Sequence, residues 1–264
     1  MVAFADKSKI DSTALFSRVE TYLEEDDPEP QLTDTDYEDT RSFIITIGPY
    51  SVLAIFMPFA IPTETLADAF GNELVWKAAS SEFDKARSHL LLAVMNSTNN
   101  HAEADNQARL LTLVTNCAAQ MDGGLGVYWP SSESVFPPAA FEEGTRAMLA
   151  QPEFPPQLWF SVRFFPGPDY DNDGRIVCQS RGLDIFMDRE IECGPYDIAP
   201  GPLAETVFGV ARFMAQAGPI FADGHTFGFG ENDGQDARLD FRWSPLGGVN
   251  KPVYGLVLLG QEGA

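Results

Sequence analysis

The sequence predicts an α+β fold with mixed or antiparallel sheets and packed helices. Three observations carry this. Short β-prone runs and amphipathic helical runs are interleaved along all 264 residues. Apolar residues make up 44% of the chain, with 20 Phe and 4 Trp, enough for a sizeable core. Runs such as 41–48 and 51–58 are joined by short turn-forming links, a hairpin signal.

Val2 to Ala5 is a short apolar strand candidate. Leu15, Val19 and Leu23 recur at four-residue steps, so a helix is predicted over 14–23, with Asp11 or Ser12 as its cap. Residues 24–39 hold nine acidic side chains, two prolines and no base, and are read as an acidic loop or linker. Two strands follow at 41–48 and 51–58. Pro62 opens a helix over 63–70, and 73–79 continues as a second short helix or an irregular crossing. A strand is predicted at Leu90 to Met95. Ala104 to Met121 is the clearest helix, and Asp122-Gly-Gly124 ends it.

A second round reads as strand 125–129, helix 139–149, strands 157–165 and 175–182, an extended 183–196, helix 202–218 and strand 226–230. Residues 237–244 alternate cleanly in Leu239, Phe241 and Trp243, and 253–259 is apolar enough to be buried, so these two can pair antiparallel. The order β-α-β-β-α-β thus occurs twice. It admits two ferredoxin-like (βαββαβ) halves, 1–103 and 104–264, while one mixed sheet without duplication fits equally.

With 17 basic and 39 acidic side chains the formal net charge is -22. Nonspecific binding to nucleic acid or to an anionic membrane needs the opposite sign, so neither partner is expected, whereas a basic protein partner is admitted. No window approaches the roughly 20 apolar residues of a membrane span, and no signal peptide is read at the start. Cys117, Cys178 and Cys193 are too far apart for a zinc pattern and suit a reducing cytoplasm. No cofactor fingerprint is present, so no cofactor is expected.

Candidate chemistry falls in three places. Asp169, Asp171, Asp173 and Gly174 match the start of a calcium loop, but Ser180 stands where the bidentate Glu belongs, and the segment also reads as a hairpin turn. Glu231 to Asp236 is a second acidic turn able to hold a divalent ion weakly. Asp223 and His225 sit in a glycine-rich turn and could act as an acid–base pair with His89 in a cleft between the halves. The alternative for His89 is a satisfied histidine at the mouth of an apolar strand. His101 is read as a solvated loop residue.

Leu74-Val-Trp76, Ser88 to Val94, Leu125 to Trp129, Leu158-Trp-Phe160, Ser180 to Leu183 and Asp223 to Phe229 resemble, in this order, pieces of the DUF4261 family, a bacterial group of uncharacterised domains. The resemblance implies an α+β fold and a soluble intracellular protein, with secretion or toxin systems as a context, and brings no catalytic motif. The expectation from the sequence is a protein-binding or regulatory module. The alternative is a hydrolase-like enzyme using Asp223, His225 and His89.

Overall fold

A computed structural model describes the chain except for residues 7–9, 38–39, 72–75, 96–99, 152–155, 168–173, 219–220, 229–235, 247–251 and 260–264. The fold is mixed α+β, as the sequence predicts. It divides into two compact units, Met1–Pro155 and Pro156–Ala264. The sequence reading places the division at 103/104, before the long helix. In the structure that helix and the strand after it belong to the first unit.

The first unit is built on a seven-stranded sheet in the order β2-β3-β4-β5-β1-β6-β7. The strands are β1 (Val2–Phe4), β2 (Gln31–Tyr37), β3 (Thr40–Ile47), β4 (Tyr50–Met57), β5 (Ser88–Val94), β6 (Gly124–Trp129) and β7 (Ser134–Phe136). Every neighbouring pair is antiparallel. Three apolar residues, Val2, Ala3 and Phe4, are buried throughout because β1 lies between β5 and β6. A split βαβ unit, the basis of a ferredoxin-like half, needs parallel strands around an intervening one. Counting antiparallel steps from β1 through β5 and β4 to β3 puts β1 and β3 in opposite directions. The expected βαββαβ order is not the one found: β2 adds a strand to it, and the lateral order differs as well.

Helices cover both faces of this sheet. On one side lie α1 (Ser12–Glu20), α4 (His101–Ala119) and α5 (Pro138–Ala150). Asp11 caps α1, its Oδ1 accepting from the amides of Thr13 and Ala14 at 3.0 and 3.1 Å. Asn100 caps α4 through Ala102 at 3.0 Å, so the helix starts three residues before the expected Ala104, at His101. Phe141 of α5 meets Trp129 and Phe136 with ring centroids 5.9 and 5.7 Å apart. On the other side, α2 (Thr63–Phe70) and α3 (Ala79–Phe83) bring Leu66, Ala69, Ala79 and Phe83 onto Ala3, Tyr128 and Val135. Period-two burial in β4 and the two helical layers have one cause: a strand sends successive side chains to opposite faces.

The second unit has a six-stranded sheet in the order β11-β12-β13-β10-β9-β8. Its strands are β8 (Ser161–Pro166), β9 (Ile176–Arg181), β10 (Ile191–Tyr196), β11 (His225–Gly228), β12 (Asp236–Arg242) and β13 (Val253–Leu258). Among its described strand pairs, β10 and β13 alone run parallel. β12 and β13 pair antiparallel, as expected. The run read as one strand over 157–165 is two elements, α6 (Pro156–Trp159) and β8. The extended reading of 183–196 resolves into α7 (Asp184–Met187) and β10. The helix α8 (Pro200–Ala217) packs on β8, β9 and β10, burying Leu203, Val207, Val210, Ala211 and Met214. Trp243 is 65% exposed, although the alternation with Leu239 and Phe241 placed it inside. β12 ends at Arg242, one residue before it.

Candidate functional site

The turn holding Asp223 and His225 is exposed and folded on itself. His225 opens β11, and its Nδ1 accepts from the amide of Ala222 at 3.2 Å, which leaves the proton of a neutral ring on Nε2. Asp223 Oδ1 accepts from the amide of Phe241 on β12 at 2.7 Å. These bonds run to main chain. They fix the turn to the neighbouring strand and give the carboxylate a structural use.

His89 belongs to the other unit. It lies on β5 opposite Ala3 and Met57, on the face covered by α2 and α3. The side chain is 4% exposed, and Nδ1 donates to the carbonyl of Phe59 at 2.8 Å. Burial holds its pKa below the usual imidazole value, against the pull of that hydrogen bond. The satisfied histidine is the arrangement found.

Asp169, Asp171 and Asp173 lie outside the described residues, as does most of Glu231 to Asp236. Among the described residues no group of three or more His, Cys, Asp or Glu is placed to hold a metal ion. Cys117, Cys178 and Cys193 are free and buried. Burial pushes the Cys117 and Cys178 thiols up to about 12, so neither is a nucleophile at neutral pH.

The structure brings together residues that the sequence reading did not single out. Register places Arg163, Gln179, Glu192, Gly255 and Asp240 side by side across β8, β9, β10, β13 and β12. Glu192 is fully buried, and it accepts from Gln179 Nε2 at 2.9 Å, from Ser244 Oγ and from Arg242 at 3.1 Å. Arg242 also donates to the carbonyl of Gly194 at 3.1 Å. To reach β10 it crosses β13 over Gly255, where a Cβ would stand 2.5 Å from Arg242 Nε. Two residues before Glu192, Glu190 accepts from the amides of Gly182 at 2.7 Å and Leu183 at 3.3 Å, and from the hydroxyl of Ser180. Burial raises its pKa to about 7; the nearby Asp184 carboxylate adds to this, and the Ser180 and Gly182 donors oppose it. Both carboxylates have their oxygens occupied, which suits holding strands and the 182–189 connection together. A sequence signal existed: Glu190 and Glu192 bracket Ile191 in a run otherwise fit for a buried strand.

A cleft of ≈ 420 Å³ lies beside α1, lined by Phe4, Asp6, Ile10, Arg18 and Asp122 among others. Asp11, also on its wall, is occupied as the helix cap.

The acidic segment behaves differently from the loop expected. Glu24, Glu25, Asp26, Asp27 and Glu29 are exposed in a turn closed by Asp27, whose Oδ2 accepts from the amide of Glu24 at 2.8 Å. The chain then enters β2, which pairs residue for residue with β3 from Gln31↔Thr46 to Tyr37↔Thr40. β2 is the edge of the seven-stranded sheet. Among the described residues no helix is long and apolar enough to cross a membrane. Compared with protein-family models, with curated proteins and with solved structures, the chain matches none.

Proposed function

We propose that this protein is a binding module for another protein, and that its partner presents a basic surface. The carrying observation is the exposed acidic turn 24–29 leading directly into an edge strand. A net charge of -22 would steer a cationic partner and repel nucleic acid. The hydrolase alternative is the weaker reading, because the bonds of Asp223, His225 and His89 lead to main-chain groups. A reducing location such as the cytoplasm is proposed from the three buried free thiols. Membership of the DUF4261 family is proposed from Ser88 to Val94 and Leu125 to Trp129, which form β5 and β6.

The test is recovery from the native host at about 0.15 M salt. A stoichiometric protein partner should co-purify, and Glu25→Gln, Asp26→Asn and Glu29→Gln together should release it. Asp27 is kept, because it closes the turn. Absence of any stoichiometric partner would count against the proposal.

A further inference from the structure

We infer that β2 is the docking edge of this module, and that it takes an extended basic segment of another protein as an added strand of the sheet. The inference rests on the binding-module reading above and names its surface and its partner class.

The first argument is the edge itself. An edge strand carries main-chain donors and acceptors on its outer side, and proteins blunt such edges by shortening them, by proline or by charge. Among the described residues the two sheets have four edges. β7 is three residues long and β11 four. β8 has six residues and ends in Pro166, which has no amide to offer. β2 has seven residues and no proline, and no strand lies on its outer side among the described residues. Among the described strands it is the longest edge.

The second argument is charge, which selects the occupant. Asp34 and Asp36 are in β2, and the exposed acidic turn stands at the Gln31 end. The turn is held there by Pro28, which packs where a Cβ on Gly48 would meet Pro28 Cγ at 3.2 Å. Gly48 belongs to the turn between β3 and β4. A second copy would bring a chain of net charge -22 against its like, and that repulsion opposes self-pairing. A strand carrying Lys or Arg reverses that sign. Main-chain hydrogen bonds then supply affinity, and charge supplies selection.

The probe is a capped nine-residue peptide of alternating lysine and valine, added to the full chain. Its control has the same charge with proline in place of valine, so it keeps the electrostatics and loses strand donors. Anisotropy should show the Lys-Val peptide binding at least roughly tenfold tighter than the Lys-Pro peptide. Hydrogen exchange should slow at the outward-facing amides of residues 31–37, every second one, since the others face β3. The Glu25→Gln, Asp26→Asn, Glu29→Gln variant should weaken binding several-fold, without disturbing the β2–β3 ladder. Equal affinity of the two peptides, or protection away from 31–37, would overturn the inference. So would protection at 31–37 on raising the concentration of the protein alone, which would identify a second copy as the occupant. If a native partner co-purifies but leaves 31–37 unprotected, the edge is wrong and the module stands. If the Lys-Val peptide docks on 31–37 but no native partner is found, the edge is supported and the module reading fails.

Discussion

The two units put opposite materials into the faces of their sheets. In the first, the buried residues of β1, β4, β5 and β6 are apolar apart from Ser88 and His89 at the start of β5, and helices close both sides. In the second, β8, β9, β10 and β13 carry a row of Arg163, Gln179, Glu192 and Gly255 at the same depth as Cys178, Cys193 and Leu256 in the adjacent row. The first unit is held by burial of apolar area, which is non-directional and tolerant of repacking. The second depends on directional bonds to a buried carboxylate, which are stable only when complete. The same chain therefore shows two ways for a sheet to be stable, with different weaknesses.

Deleting one partner of the buried network is the sharpest way to test this. Glu192→Ala removes the carboxylate shared by Arg242, Gln179 and Ser244, leaving the Arg242 charge only the Gly194 carbonyl, and should cost about 3–5 kcal/mol. Leu90→Ala, at a fully buried site in the first unit, should cost about 2–5 kcal/mol as a cavity. The two differ in rescue. Replacing both Glu192 and Arg242 by leucine should recover much of the loss, since no unpaired charge then remains. Denaturant unfolding of the single and double variants measures this, and simple additivity would show that Glu192 is held by packing alone.

Acidity should act on the units with opposite sign. Glu190 is raised to about 7 in the folded chain, so the folded state holds its proton more tightly than the unfolded one. Its contribution is fully present below about 4.5 and is lost as pH rises through about 7, at most about 3 kcal/mol. His89 is lowered, so its contribution is present above the unfolded value of 6.5 and is lost as pH falls through the folded pKa. Native-state hydrogen exchange, corrected for intrinsic rates, should therefore show β10 weakening and β5 strengthening as pH is raised. Glu190→Gln should flatten the first trend alone.

Much of the fold was legible, and the misses have physical reasons. α4 and α8 were readable because their apolar stripes are long and periodic. β2 was not, because its aspartates read against strand and only an edge position tolerates them. The central place of β1 was hidden for another reason. Three apolar residues declare a strand, but lateral order is set by long-range packing that leaves no local pattern. Glu192 and Arg242 were missed as a pair because they stand 50 residues apart. Each alone, in an alternating strand, reads as a wet face. His89 was legible only as one of two readings, acid–base partner or satisfied histidine, because its place at the mouth of an apolar strand does not say which group its ring meets; the structure gives it the Phe59 carbonyl.

Glycine substitutions make the smallest and most specific test. In each unit one strand glycine makes room for a side chain from another element. At Gly126 on β6 a Cβ would meet Phe83 Cε2 at 2.7 Å and Trp76 at 3.0 Å. At Gly255 on β13 it would meet Arg242 Nε at 2.5 Å and Cδ at 2.8 Å. Alanine at either site should cost about 1–3 kcal/mol by overpacking. In the first unit the intruding group is an aromatic ring in an apolar layer, so a smaller apolar residue, Phe83→Leu, should restore much of the loss. In the second, Arg242→Ala relieves the contact but strips Glu192 of a charged donor, so it should restore little. Thermal unfolding of the four single and two double variants separates these outcomes. Equal rescue at both glycines would mean that Arg242 crosses Gly255 for space alone, and the contrast between apolar and ionic sheet faces would lose its energetic content.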